Sequence, residues 1–127
     1  MQQYMELKAK DLSKRAITLE PNKTLYDARN AMLRYNISRI VVAKDNKAIG
    51  IITEKDIARF LYREVPNKRL DEIRLDQAMT TNLITVDEQK DLNTCAGLML
   101  DKEISSLIVT DNKGILKGIF NKADIVS

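Results

Sequence analysis

Two short patterns in this chain have residue types and spacing that could do chemistry. Thr53-x-x-Asp56 and Asn121-x-x-Asp124 each set a small polar residue three positions ahead of an aspartate, and each follows a Gly-Ile run, Gly50-Ile51-Ile52 and Gly118-Ile119-Phe120. At a helix start, this spacing holds a carboxylate beside backbone amides that have no helical partner. A carboxylate there can accept from two neighbouring hydroxyls, as a ribose presents them, while the amides and the positive end of the helix dipole suit a phosphate. The same spacing is also ordinary capping chemistry, with the carboxylate on the cap amide, and the two uses are compatible.

The elements that position these patterns occur twice. Ile17 to Val42 lies over Ile84 to Val109 without a gap, with 9 of 26 positions identical, and Gly50 to Ile57 lies over Gly118 to Ile125 with 4 of 8 identical. Each copy reads as a short leading strand, a helix, two strands and a second helix. Thr24-Leu25-Tyr26-Asp27 has the form of a capping box, and the helix it opens is expected to reach about Tyr35. Its counterpart starts near Asp91, with Leu92, Cys95, Ala96, Met99 and Leu100 forming one buried stripe at helical spacing. Arg39 to Ala43 and Ser106 to Thr110 are apolar, β-branched runs suited to strands covered on both faces. Asp45-Asn46-Lys47 and Asp111 to Gly114 are turn compositions, followed by strands over Ala48 to Ile52 and Ile115 to Phe120. Thr53 and Asn121 then open the second helices. The first is expected to reach Tyr62 with Ile57, Phe60 and Leu61 inward, before Val65-Pro66-Asn67-Lys68 breaks it and Leu70 to Met79 bridges to the second copy.

Composition narrows the function classes. With 127 residues, 44% of them hydrophobic, the chain can bury one ordinary core or two half-cores that complete each other. There is no histidine and a single cysteine, Cys95, on the apolar helix stripe where an inert, buried thiol is expected. Four glycines leave no room for a phosphate-cradling loop, and the carboxylates are scattered over caps and turns, so catalysis is not expected. The net charge of +3 is spread among interspersed signs. Lys8, Lys10, Lys14 and Arg15 form the best basic cluster, but Glu6 and Asp11 interrupt it and there is little aromatic content to stack bases, so nucleic-acid binding is disfavoured. No apolar run is long enough to span a membrane and the first residues lack a secretory signal, which predicts a cytoplasmic protein with no membrane partner.

The Leu12-Ser13 and Met79-Thr80 leads into Ile-Thr strands, the Ile-Ser-x-hydrophobic segments ending in valine, the Gly-hydrophobic-hydrophobic-Thr-x-x-Asp motif at Gly50 to Asp56, and the spacing of two such units together resemble the tandem CBS (cystathionine β-synthase) domain pair, or Bateman module. The resemblance covers about residues 10 to 127. It implies an α/β (α+β) fold of two pseudo-symmetric β-α-β-β-α repeats packed through their sheets: residues 8–63 as repeat 1, 64–76 as a bridging segment and 77–127 as repeat 2. It further implies clefts between the repeats that take adenosine-containing ligands such as AMP, ADP, ATP or S-adenosylmethionine, as regulatory ligands and not as required cofactors.

Carried over by the resemblance, one cleft joins Thr53 and Asp56 to Thr80, Ile84, Ser105 and Ser106. The other joins Asn121 and Asp124 to Ser13, Ile17, Ser38 and Arg39, with Ile17 and Ile84 against the adenine. Arg39 favours the Asp124 cleft for charged nucleotides, since a guanidinium is a planar phosphate clamp. The expected function is a regulatory ligand sensor acting on a separate protein target, as a homodimer. The alternative is a dimerisation module that ignores ligand.

Overall fold

The structure, a computed structural model, describes residues 7–64 and 68–126. In chain order the elements are α1 (Ala9–Leu12), β1 (Thr18–Leu19), α2 (Leu25–Tyr35), β2 (Arg39–Lys44), β3 (Lys47–Thr53) and α3 (Glu54–Arg59). After them come α4 (Leu75–Ala78), β4 (Thr85–Asp87), α5 (Leu92–Asp101), β5 (Ser106–Thr110), β6 (Leu116–Asn121) and α6 (Lys122–Val126). A π-helical turn, Phe60–Glu64, continues α3, and a 3-10 turn, Leu70–Glu72, precedes α4. The expected helix break at Val65 to Asn67 lies outside the described residues.

Local chemistry sets the boundaries much as the sequence reads. Thr24 Oγ1 accepts from the Asp27 amide and the Thr24 amide donates to Asp27 Oδ2 at 2.9 Å, the reciprocal pair of a capping box. Asp91 caps α5 by accepting from the Thr94 amide at 3.0 Å, and the Thr94 hydroxyl, which adds a second bond, pulls the Asp91 carboxyl below its ordinary pKa. Between β2 and β3, Asp45 and Asn46 both take positive φ, 53° and 64°, a mirror-image two-residue turn whose twist matches a hairpin. Between β5 and β6, Asp111 Oδ1 accepts from the amides of Lys113 and Ile115 at 2.8 and 3.0 Å.

The chain divides into two compact units, and the division does not follow the sequence repeats. One unit is Ile17–Leu83; the other joins the described residues up to Ala16 to those from Ile84 onward. In the first, β1 runs parallel to β2 and β2 antiparallel to β3. Its core is Leu25, Ala28, Met32, Ile40, Val42, Ile52, Ile73 and Leu75. In the second, β4, β5 and β6 repeat that order, over a core of Ala9, Val86, Cys95, Met99, Leu107, Val109 and Phe120.

Each core therefore takes in residues from the segment that leads into the other repeat. Ile73 and Leu75 belong to the core of the first unit and Ala9 to that of the second. Full burial of a leucine such as Leu75 stabilises by about 1.5–3 kcal/mol, enough to fix the segment there. Backbone bonds add to this: Leu25 N to Ile73 O at 2.9 Å and Leu75 N to Lys23 O at 2.8 Å are matched by Leu92 N to Leu7 O at 2.9 Å and Ala9 N to Lys90 O at 2.8 Å.

Two details depart from the helical periodicity. Leu100, expected on the buried stripe of α5, is 71% exposed, leaving Leu92, Cys95 and Met99 as the buried row and Ala96 half-covered. Leu61, expected inward, is also exposed. The helix widens into its π turn at Phe60, which moves later residues off the 3.6-residue period, so only Ile57 and Phe60 reach the core.

Candidate functional site

Thr53 and Asp56 form a closed cap at the start of α3. The Thr53 amide and hydroxyl both donate to Asp56 Oδ2, at 2.9 and 3.0 Å, and the Asp56 amide donates back to Thr53 Oγ1 at 3.2 Å. The other oxygen, Oδ1, accepts from Arg59 Nη1 at 3.2 Å. Asp56, only 6% exposed, is the one buried charged residue among those described, and these bonds are what make its burial tolerable.

Asp124 has the equivalent position in the second unit with different partners. Its Oδ2 accepts from the Asn121 amide at 2.7 Å, and its Oδ1 pairs with the Lys14 ammonium at 2.9 Å. The Asn121 amide first, and Lys14 second, hold the Asp124 carboxyl below its ordinary pKa. The ammonium is more than half exposed, so the pair is screened and weak as a source of stability.

A matching backbone frame carries both aspartates. Lys14 and Ile119 exchange two hydrogen bonds of 2.9 Å each, as Thr80 and Ile51 exchange two of 3.0 Å. The lead-in segments are thus one residue out of step with the gapless alignment: Lys14 is the counterpart of Thr80, and Ser13 that of Met79. Above these bridges sit the two repeat glycines. A Cβ on Gly50 would fall on the Met79 side chain, and one on Gly118 would fall on Ser13 Oγ and the Lys14 carbonyl oxygen. The glycine of the motif is there because the lead-in strand crosses it at close range.

Within the first unit, the structure gathers Thr53, Asp56 and Thr80 with Ser38, whose carbonyl accepts from Glu54 N at 3.1 Å, and Arg39, which lies across from Thr53 in the sheet register. Within the second it gathers Asn121, Asp124 and Ser13 with Ser105, whose carbonyl accepts from Lys122 N at 2.9 Å, and Ser106, across from Asn121. Ile17 packs against the first core and accepts from Val41 N at 3.1 Å; Ile84 packs against the second. Lys14 and Arg59 are the two side chains on these carboxylates that reading the sequence missed. Arg59 had a signal, its i,i+3 spacing from Asp56 on one helix face. Lys14 had none, because its partner lies at the other end of the chain. Among the described residues, no cluster of His, Cys, Asp or Glu could hold a metal ion, and no helix is long and apolar enough to cross a membrane.

Two consecutive β-α-β-β-α copies, each ending in a Gly-x-x-polar-x-x-Asp cap, meet the family model for the CBS domain at residues 9–63 and again at 72–127. The chain belongs to the CBS domain family. Its relatives include an uncharacterized protein from Methanopyrus kandleri, 32% identical over 111 residues that make up 87% of this chain and 56% of that one. A homoserine O-acetyltransferase from Methanococcus vannielii is 31% identical over 117 residues, 91% of this chain and 23% of that enzyme. The chain thus spans little more than half of the first relative and under a quarter of the second; in the enzyme, the CBS-like region is one part of a larger protein. Among solved structures, a CBS domain pair in complex with 5′-methylthioadenosine and S-adenosyl-L-methionine superposes with a TM-score of 0.80 at 28% identity, covering 94% of this chain and 93% of that one.

Proposed function

We infer that this CBS pair is a regulatory sensor of adenosine-containing ligands, without catalytic activity of its own, that acts on a protein partner in the cytoplasm. The observation that carries the reading is the pair of cap-bound carboxylates, Asp56 and Asp124, at matching places in the two units of a chain that resembles a CBS pair solved with two adenosine compounds. Each carboxylate receives a ribose diol in exchange for a cation, Arg59 at Asp56 and Lys14 at Asp124, and the cap residues Thr53 and Asn121 lie beside the 5′ substituent. Within its own unit, Thr80 lies with Thr53 and Asp56 at the first site, and Ser13 with Asn121 and Asp124 at the second. No resident cofactor is required. Regulation follows if ligand binds one arrangement of the repeats better than another.

Calorimetry of the chain with AMP, ADP, ATP, S-adenosylmethionine and 5′-methylthioadenosine tests this. Saturable binding that is weakened by Asp56→Ala or Asp124→Ala is expected, with thermal stabilisation that rises with ligand concentration. Indifference to all five compounds at millimolar concentration contradicts it.

A second reading, assembly, draws on Leu33 and Leu100, which occupy aligned positions of α2 and α5 and are 66% and 71% exposed. Exposed leucines repeated by the duplication suit a homodimer face. Mass measurement in solution separates the readings: a dimer whose size ignores ligand, and which Leu33→Glu with Leu100→Glu dissociates, favours assembly alone.

A further inference from the structure

Lys14 and Thr80 occupy the same backbone position in the two units, each bridged to the strand two residues ahead of a cap, Ile119 before Asn121 and Ile51 before Thr53. A flexible cation therefore stands in one unit where a short neutral hydroxyl stands in the other. Its ammonium rests on Asp124 Oδ1 at 2.9 Å, and the stem is exposed enough to swing. Arg59, the cation on Asp56, comes instead from one turn further along α3.

We propose that Lys14 selects the charge of the ligand at the Asp124 site, favouring an adenosine that carries a 5′ phosphate over one with an uncharged 5′ group. This rests on the adenosine reading above. A ribose diol arriving at Asp124 competes with the ammonium for Oδ1. When the ligand carries a phosphate, Lys14 exchanges one anionic partner for another; with an uncharged ligand it gives up its ion pair to solvent and gains nothing. At the Asp56 site the equivalent position is the neutral Thr80, and the cation on Oδ1 is Arg59 of the same helix, so the lead-in residue adds no preference there.

The test uses the full chain with Asp56→Ala, which isolates the Asp124 site, titrated with AMP and with 5′-methylthioadenosine. Lys14→Thr, which copies Thr80, is expected to weaken AMP about tenfold while leaving 5′-methylthioadenosine unchanged or tighter; Lys14→Arg is expected to keep the AMP preference. A measurement that needs no variant at position 14 is ionic strength: AMP binding falls as salt rises and 5′-methylthioadenosine binding does not. An AMP to 5′-methylthioadenosine ratio unaltered by Lys14→Thr, or AMP binding indifferent to salt, overturns the role of Lys14. Binding that still depends on Asp124 in those experiments leaves the adenosine reading standing; failure of the wild-type chain to bind either compound overturns both.

Discussion

Asp56 is buried, and its two oxygens are taken by Thr53 and Arg59 of its own helix, whereas Asp124 is bonded by Asn121 and by Lys14 from the far end of the chain. The first arrangement is local, closed and tied to the fold of one helix. The second is more open and depends on the lead-in segment being in place. Duplication preserved the frame, including the glycine under each crossing strand, and let the side chains around each cap diverge. The two sites differ in charge placement and in how much stability rests on each aspartate.

The largest expected effect concerns the glycines. Gly118→Ala places a methyl against the Lys14 carbonyl, which accepts from Ile119 N and belongs to a residue held by two backbone hydrogen bonds, and should destabilise by about 1–3 kcal/mol, toward the upper end. Gly50→Ala meets only the Met79 side chain, which can move, and should cost less. Denaturant midpoints compare the two directly; equal losses would show that the crossing strands are equally yielding. Next in size, Asp56→Ala should cost about 2 kcal/mol and Asp124→Ala about 1 kcal/mol, because the buried cap leaves a guanidinium and an amide without their acceptor. The reverse order would mean that the Lys14 pair anchors the lead-in segment more than its exposure suggests.

Smaller still is the stability effect of Lys14→Thr, at most about 0.5 kcal/mol for an exposed pair, but its titration signature is distinct. Asp124 in the folded chain ionises below the ordinary aspartate value of 3.8, so its contribution is present above that pH and is lost as pH falls through the lowered value. Lys14→Thr should raise the Asp124 titration seen by carboxyl NMR only part of the way toward 3.8, since the Asn121 amide, the larger cause, remains. No change would mean the ion pair does not persist in solution. The smallest effect is expected at Cys95, whose burial pushes the thiol up in pKa and keeps it from thiol reagents in the native chain.

Caps, turns and strands were legible in the residues because they depend on neighbours in sequence: Thr24 with Asp27, Thr53 with Asp56, Asp91 before its apolar row, Asp45-Asn46 at a hairpin. The exchange of lead-in segments was not. Ala9 beside Lys90 and Lys14 beside Ile119 are pairings across most of the chain, and nothing in local periodicity marks them. The same gap hid the one-residue offset: the alignment from Ile17 and Ile84 runs cleanly downstream, while the loops Arg15-Ala16 and Thr81-Asn82-Leu83 ahead of it differ in length by one residue. Leu61 and Leu100 failed the stripe pattern for a different reason. Both lie where a helix loosens or ends, and a strict period overstates the width of the buried face there.

The central claim is that one duplicated frame carries two unequal adenosine sites. It is tested most directly by titrating 5′-methylthioadenosine and AMP into the wild-type chain and into Asp56→Ala and Asp124→Ala separately. The account predicts that each variant loses one site and keeps the other, with the site left in Asp56→Ala preferring AMP more strongly than the site left in Asp124→Ala. Wild-type affinity and stoichiometry in both variants, or identical preferences at the two remaining sites, would contradict it.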